Sequence, residues 1–362
     1  MDNASCRIVL LPGDGIGPEV VEAARLVMDA AAAESGFSIV FEKHPFGGAA
    51  TDTVGEPLPP ATLEACTTCD GILLGAVGGP RWDGMDRVKR PEFGLLALRK
   101  ALGAFANLRP VSVSPALAEV SPLRSEVVSG TDLLVVRELT GGIYYSEPRG
   151  RSGDEAFNTM RYSRDEIERI ARVAFSRAAK RRNAVVSVDK SNVLEVSVLW
   201  REVVKEIHGR DHSGVALRHM YVDNAAMQIA TDPRQFDVIL TGNMFGDILS
   251  DLAGTLAGSL GMLPSACVGG EVGLFEPVHG SAPDIAGRGV ANPVGAILSG
   301  AMLFDEIGRP GAAERIRKAT DRALLEGFRT PDIRPAGGRA FATMEMAEAV
   351  AERLTTTVES DS

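Results

Sequence analysis

The chain has 362 residues, a net charge of −10, 45% apolar and 24% charged residues, the balance of a globular protein with two domains or one large α/β unit. Its basic residues are scattered, which excludes nucleic acid as the main partner, because that needs a clustered basic face. Any anionic substrate must therefore be held by local arginines against the overall field. No apolar run reaches membrane-spanning length without a charge. The stretch Met1–Leu11 is short for a signal peptide, and 4 cysteines are too few for a disulfide framework. The expectation is a cytoplasmic protein with no membrane partner.

Arg7–Leu11 reads as the first buried strand, rich in Val, Ile and Leu. Gly13-Asp14-Gly15-Ile16-Gly17-Pro18 follows as a tight turn. Pro18 stands at the first position of a helix with Val20, Ala24 and Val27 on its inner face. The turn approximates the dinucleotide fingerprint G-x-G-x-x-G, but proline occupies the third glycine position. No acidic residue closes a second strand about 20 residues on, so a Rossmann site is rejected. Cys66 and Cys69 form a lone C-x-x-C; with no second pair or nearby His, they read as small residues near a helix end. Gly71–Leu74 is the next strand, and Asp132–Val136, Ala184–Val188, Leu217–Val222 and Phe236–Leu240 follow. Gly141–Asn158 mixes glycine, proline and charge and suits an arm or loop. Ser163 and Glu166 form a capping box ahead of Ile167, Ile170, Ala171, Ala174 and Ala178 at helical spacing. Thr355–Ser362 is polar and expected to be disordered. Alternating strands and helices predict an α/β fold with a mostly parallel sheet covered by helices. In such sheets ligands gather where strands end.

The strand ends carry the chemistry. Arg137 ends an apolar strand, Arg99 follows the apolar run Leu95–Leu98, and Arg109 stands in Ala106-Asn107-Leu108-Arg109-Pro110. Each could be a structural ion pair; as a set they suit a clamp for carboxylates, which guanidinium grips bidentately. Asp247 and Asp251 are spaced to share one face of a helix among Ile248, Leu249 and Leu252. Asp223, at the end of Met220-Tyr221-Val222, could be a third oxygen ligand, and all-oxygen ligation selects Mg²⁺ or Mn²⁺ over zinc. Lys190 and Tyr144 can serve as base and acid, or can be merely structural.

These segments resemble the β-decarboxylating dehydrogenases, the group of the isopropylmalate and isocitrate dehydrogenases. The similarity runs nearly end to end. It rests on LLPGDGIGPEV from Leu10, GAVGGPRWD from Gly75, PEFGLLALRK from Pro91, VRELTGGIYY from Val136 and SVDKSNVLEVS from Ser187. YVDNAAMQ from Tyr221, NMFGDILSDLAG from Asn243 and EPVHGSAPDIAGRGVANP from Glu276 complete it. The resemblance implies the isopropylmalate/isocitrate dehydrogenase-like fold, two α/β domains around a large mostly parallel sheet and not a Rossmann fold. A cofactor domain would comprise 1–104 and 258–362. A substrate, metal and dimerisation domain would comprise 105–257, with an arm at about 141–160.

The resemblance also implies roles. Arg99, Arg109 and Arg137 would hold the carboxylates of a small dicarboxylate. Asp223, Asp247 and Asp251 would bind Mg²⁺ or Mn²⁺, and Asp223 would also face the substrate. Lys190 would relay the hydroxyl proton and Tyr144 would protonate the enolate. Lys190 and Asp223 would come from the second subunit, making a homodimer with shared active sites. NAD would be bound by His279, Gly280, Ser281, Ala282, Pro283, Asp284, Ile285 and Asn292, with Ile16 and Gly78 beside them. The substrate pocket would be completed by Glu92, Leu95, Leu96 and Val193. Isocitrate enzymes carry Ser and Asn in the segment before Arg99; Pro91–Leu98 has neither and offers Leu95 and Leu96, suited to an isopropyl group. The expected reaction is thus oxidative decarboxylation of 3-isopropylmalate, with tartrate, homoisocitrate or a methylthioalkylmalate as alternatives. Asp284 would accept from the ribose hydroxyls and repel a 2′-phosphate, favouring NAD over NADP.

Overall fold

The structure, a computed structural model, describes residues 5–355. Apart from Thr355, the polar tail lies outside the described residues, as do the first four residues of Met1–Leu11.

The chain opens with β1 (Cys6–Gly13), α1 (Gly17–Glu34), β2 (Ile39–Lys43), α2 (Gly47–Val54), α3 (Pro60–Thr67), β3 (Gly71–Ala76) and α4 (Pro91–Ala101). Next come β4 (Ala106–Ser112), α5 (Ser125–Val128), β5 (Asp132–Glu138), β6 (Gly150–Ser152), β7 (Glu155–Phe157), α6 (Arg164–Ala178), β8 (Ala184–Asp189) and α7 (Glu195–Asp211). β9 (Ala216–Tyr221), α8 (Val222–Thr231), β10 (Val238–Thr241) and α9 (Asn243–Gly254) follow. The chain ends with β11 (Pro264–Val268), β12 (Leu274–Pro277), α10 (Val294–Glu306), α11 (Pro310–Leu325) and α12 (Thr343–Glu352). Two compact units result: 5–103, 114–120 and 258–355 form the first, 104–113 and 121–257 the second.

In the first unit the strand order is β2-β1-β3-β12-β11, parallel except for the antiparallel pair β11–β12. Val20, Ala24 and Val27 are fully buried on α1, which packs on α10 and α12. Close packing there needs a bare backbone at Gly300, where a Cβ would sit 2.6 Å from Met28 Sδ. Cys66 and Cys69 are free and buried at the end of α3, and burial pushes the Cys66 thiol up to about 12. That leaves almost no thiolate for redox or metal chemistry.

The second unit is ordered β4-β5-β10-β8-β9, with β4–β5 antiparallel and the rest parallel, and β6–β7 form a separate hairpin. α6 starts at the Ser163–Glu166 capping box and buries Ile167, Ile170, Ala171, Ala174 and Ala178. Two sequence boundaries move. Val222 opens α8 instead of closing β9, and Phe236 precedes β10. Asp223 therefore stands in the first turn of a helix, where the helix dipole favours a carboxylate.

Candidate active site

The second unit gathers five of the expected residues. The β4–β5 ladder pairs Asn107 with Arg137, and Arg109 lies two residues further along β4. α9 follows β10 and carries Asp247 and Asp251 one turn apart. Gly246 lets this helix press on Arg137: a Cβ there would meet the arginine's Cγ at 2.6 Å. Arg137, 6% exposed, pairs with Asp247 through Nη1, while its Nε and Nη2 donate to Asn243 Oδ1 at 3.1 and 2.7 Å. Asn243 is itself fixed, donating from Nδ2 to the carbonyls of Leu139 and Gly141. Arg109 Nη1 donates to Asp251 Oδ1 and Ser250 Oγ at 2.7 and 2.8 Å, and its Nη2 lies 3.7 Å from Asp247 Oδ1. One guanidinium thus touches both carboxylates, which removes the repulsion expected between like charges one turn apart.

Tyr144 closes a short helical turn, Gly142–Tyr144, and donates from Oη to Asp247 Oδ2 at 3.2 Å. Burial first, and then the Asp247 charge, push its phenol above the usual value, so it remains a proton donor at neutral pH.

Lys190 and Asp223 form a second group. Lys190 follows β8 and donates from Nζ to Asp223 Oδ1 at 2.7 Å. That hydrogen bond holds the Asp223 carboxyl below its usual range. Val193, in the same loop, is 69% exposed. Among the described residues no three His, Cys, Asp or Glu side chains group as a metal set.

The first unit holds the rest. Arg99, near the end of α4, donates from Nη2 to Glu276 Oε1 at 2.6 Å; Glu276, unremarked in the sequence except as the start of a motif, is its carboxylate partner. Glu92 lies in the first turn of α4, and Leu95 and Leu96 are half-buried on it. The segment from His279 to Asn292 is irregular. Ala282 takes a left-handed φ of 38°, and Ile16 N–H donates to the Ser281 carbonyl at 2.8 Å. Burial pulls the His279 imidazole below its usual value, keeping it neutral. Asp284 is exposed and Asn292 buried, with Asn292 Nδ2 donating to Asp332 Oδ2 at 3.0 Å.

The glycine turn after β1 is filled by protein. A Cβ on Gly15 would lie 1.9 Å from the Ser281 carbonyl oxygen, and one on Gly13 1.9 Å from that of Ala76. In a dinucleotide turn such glycines make room for pyrophosphate; here they admit neighbouring backbone.

An arginine-held pair of helix carboxylates beside a tyrosine, in one of two mixed α/β units, is the arrangement of a β-decarboxylating dehydrogenase. Residues 7–350 match the family model described as isocitrate/isopropylmalate dehydrogenase, and the chain belongs to that family. A 3-isopropylmalate dehydrogenase of Salinibacter ruber is 60% identical over 357 residues, 99% of this chain and 98% of the relative. One from a Synechococcus species is 54% identical over 358 residues, 97% and 100% of the two chains. Among solved structures, an isocitrate dehydrogenase from Methylococcus capsulatus superposes with a TM-score of 0.85 at 36% identity, covering 97% of this chain and all of that one.

Proposed function

We propose that the chain converts (2R,3S)-3-isopropylmalate and NAD to 4-methyl-2-oxopentanoate, CO₂ and NADH, as a step of leucine biosynthesis in the cytoplasm. The observation that carries this reading is the Arg109–Arg137–Tyr144–Asp247–Asp251 cluster. It combines a carboxylate clamp, a proton donor and two hard oxygen ligands in one place. The substrate is chosen from the relatives' names and from Leu95 and Leu96, which suit a branched alkyl group better than a third carboxylate.

Arg109 and Arg137, with Arg99, hold the dicarboxylate. Lys190 accepts the proton of the C2 hydroxyl as C2 becomes a ketone. Tyr144 returns a proton to carbon after CO₂ leaves. Asp247 and Asp251 fit Mg²⁺ or Mn²⁺: both are oxygen donors and both are partly exposed. Bound there, the cation supplies charge stabilisation for the oxyanion that develops on decarboxylation. NAD supplies the hydride acceptor. Its adenosine half is assigned to His279–Ile285 and Asn292 with Ile16 and Gly78, and Asp284 selects against a 2′-phosphate. The first unit is thus read as the cofactor domain and the second as the substrate and dimerisation domain, with 141–160 as its arm.

Asp223 is assigned to the metal site of a second copy, together with Lys190, in a homodimer with shared sites. Support comes from the mutual pairing of Lys190 and Asp223. The test is NADH formation with Mg²⁺ across 3-isopropylmalate, isocitrate, tartrate and malate. The reading expects the highest kcat/KM for 3-isopropylmalate, and a higher value for any other acid overturns it.

A further inference from the structure

The turn between β1 and α1, rejected as a pyrophosphate site, and the first turn of α1 each carry an acid to which none of the roles above applies. Asp14 is 3% exposed. Its Oδ2 accepts from the backbone N–H of Gly48 at 2.9 Å and of Gly78 at 2.8 Å, and its Oδ1 accepts from Ala49 at 2.7 Å. Gly48 and Ala49 open α2, whose N-cap residue, Phe46, supplies no side-chain acceptor. Asp14 therefore acts as that helix's cap from another element, and the same carboxylate pins the loop after β3 at Gly78. Five residues on, Glu19 in the first turn of α1 accepts from the N–H groups of Gly287 and Gly289, the latter at 2.9 Å. Both lie between Ile285 and Asn292, within the stretch assigned to NAD. Between the two acids, Ile16 N–H holds the Ser281 carbonyl.

We infer that Asp14 and Glu19 are positioning residues for the cofactor: the β1–α1 turn and the start of α1 use one carboxylate each to fix the Gly78 loop and the Ser281–Gly289 segment. The physical reason for acids is that each carboxylate oxygen accepts backbone N–H groups in a partly dry site, where a charge-assisted bond is roughly twice as strong as a neutral one. Burial raises the Asp14 carboxyl, and its three N–H donors oppose that rise without cancelling it. Loss of either acid frees a loop that NAD must then order on binding, and the cost falls on cofactor affinity.

This inference rests on the NAD reading above. Its test measures NADH and ADP-ribose binding by fluorescence and calorimetry, and 3-isopropylmalate binding with Mg²⁺ but no cofactor, in wild type, Glu19→Ala, Glu19→Gln and Asp14→Asn. Glu19 is only half-buried, so its variants remain informative if Asp14→Asn does not fold. Glu19→Ala removes both acceptors and should weaken NADH and ADP-ribose binding at least about tenfold, the lower end of what one charged hydrogen bond contributes. It should raise KM for NAD with kcat and 3-isopropylmalate affinity changed less than twofold. Glu19→Gln, which keeps one acceptor oxygen, should fall between. A purely structural role would instead lower kcat and substrate affinity together, and that result overturns the inference. So does unchanged NADH binding in a folded Glu19→Ala. If wild type binds no NADH, the NAD reading fails and the inference with it.

Discussion

Replacing Arg137 by lysine keeps the charge and removes the planar fork. The structure shows what that fork does: Nε and Nη2 meet a single oxygen, Asn243 Oδ1, while Nη1 points at Asp247. The side chain is 7% exposed, so water cannot replace a missing donor cheaply. A single ammonium cannot hold Asn243 and a substrate carboxylate in the same geometry. Each hydrogen bond from a charged donor contributes about 1.5–3 kcal/mol net. Loss of one such bond to the substrate therefore weakens binding roughly 10- to 100-fold, at 1.4 kcal/mol per tenfold. Titration calorimetry with 3-isopropylmalate and Mg²⁺ reads this directly, and circular dichroism checks that the variant is folded. A folded Arg137→Lys that binds the substrate within twofold of wild type would refute the assignment of Arg137 to the carboxylate clamp.

Three further outcomes follow from the same geometry. Tyr144→Phe and Lys190→Met should each lower turnover by roughly 10²–10⁴, and refolding the two variants together should restore activity in mixed dimers; a mixture that forms heterodimers yet stays inactive contradicts shared sites. Exhaustive EDTA treatment should abolish turnover and Mg²⁺ or Mn²⁺ should restore it, whereas full activity after chelation would remove Asp247 and Asp251 from a metal role. NAD should be preferred to NADP by at least about tenfold in kcat/KM, or 1.4 kcal/mol, because of Asp284; equal values would show that its charge does not set the choice.

Much of this was legible in the chain because certain spacings admit few readings. Asp247 and Asp251 had to share a helix face, but the apolar neighbours do not bury it: Leu249 is buried on another side of α9, and Ile248 is 57% exposed. Arg137 at the end of an apolar strand had to meet an acid or an anion, and it meets Asp247. The Ser163–Glu166 box marked the start of α6. Other features were hidden for physical reasons. β4 contains Pro110 and β11 begins at Pro264, and proline obscures a strand pattern that pairing nonetheless allows. β2 ends in two consecutive charges, Glu42 and Lys43, in a half-exposed strand, which shortens the apolar run that marks its neighbours. Asp223 was read at a strand end, but the helix already begins at Val222, the last residue of the apolar run. The partners Asn243, Glu276, Asp14 and Glu19 were unreadable as such, because their contacts depend on which backbone groups are brought beside them by distant segments. The acids in the first turn look like ordinary turn and helix-start residues until Gly78, Gly287 and Gly289 appear against them.

Under the proposed function, oxidation and decarboxylation of one branched substrate occur in a single catalytic sequence. Its most direct test is product stoichiometry: wild-type enzyme with 3-isopropylmalate, NAD and Mg²⁺, with NADH, CO₂ and 4-methyl-2-oxopentanoate quantified from one reaction. The account predicts equal amounts of all three. NADH without matching CO₂, or no NADH from this acid while isocitrate is consumed, would contradict it.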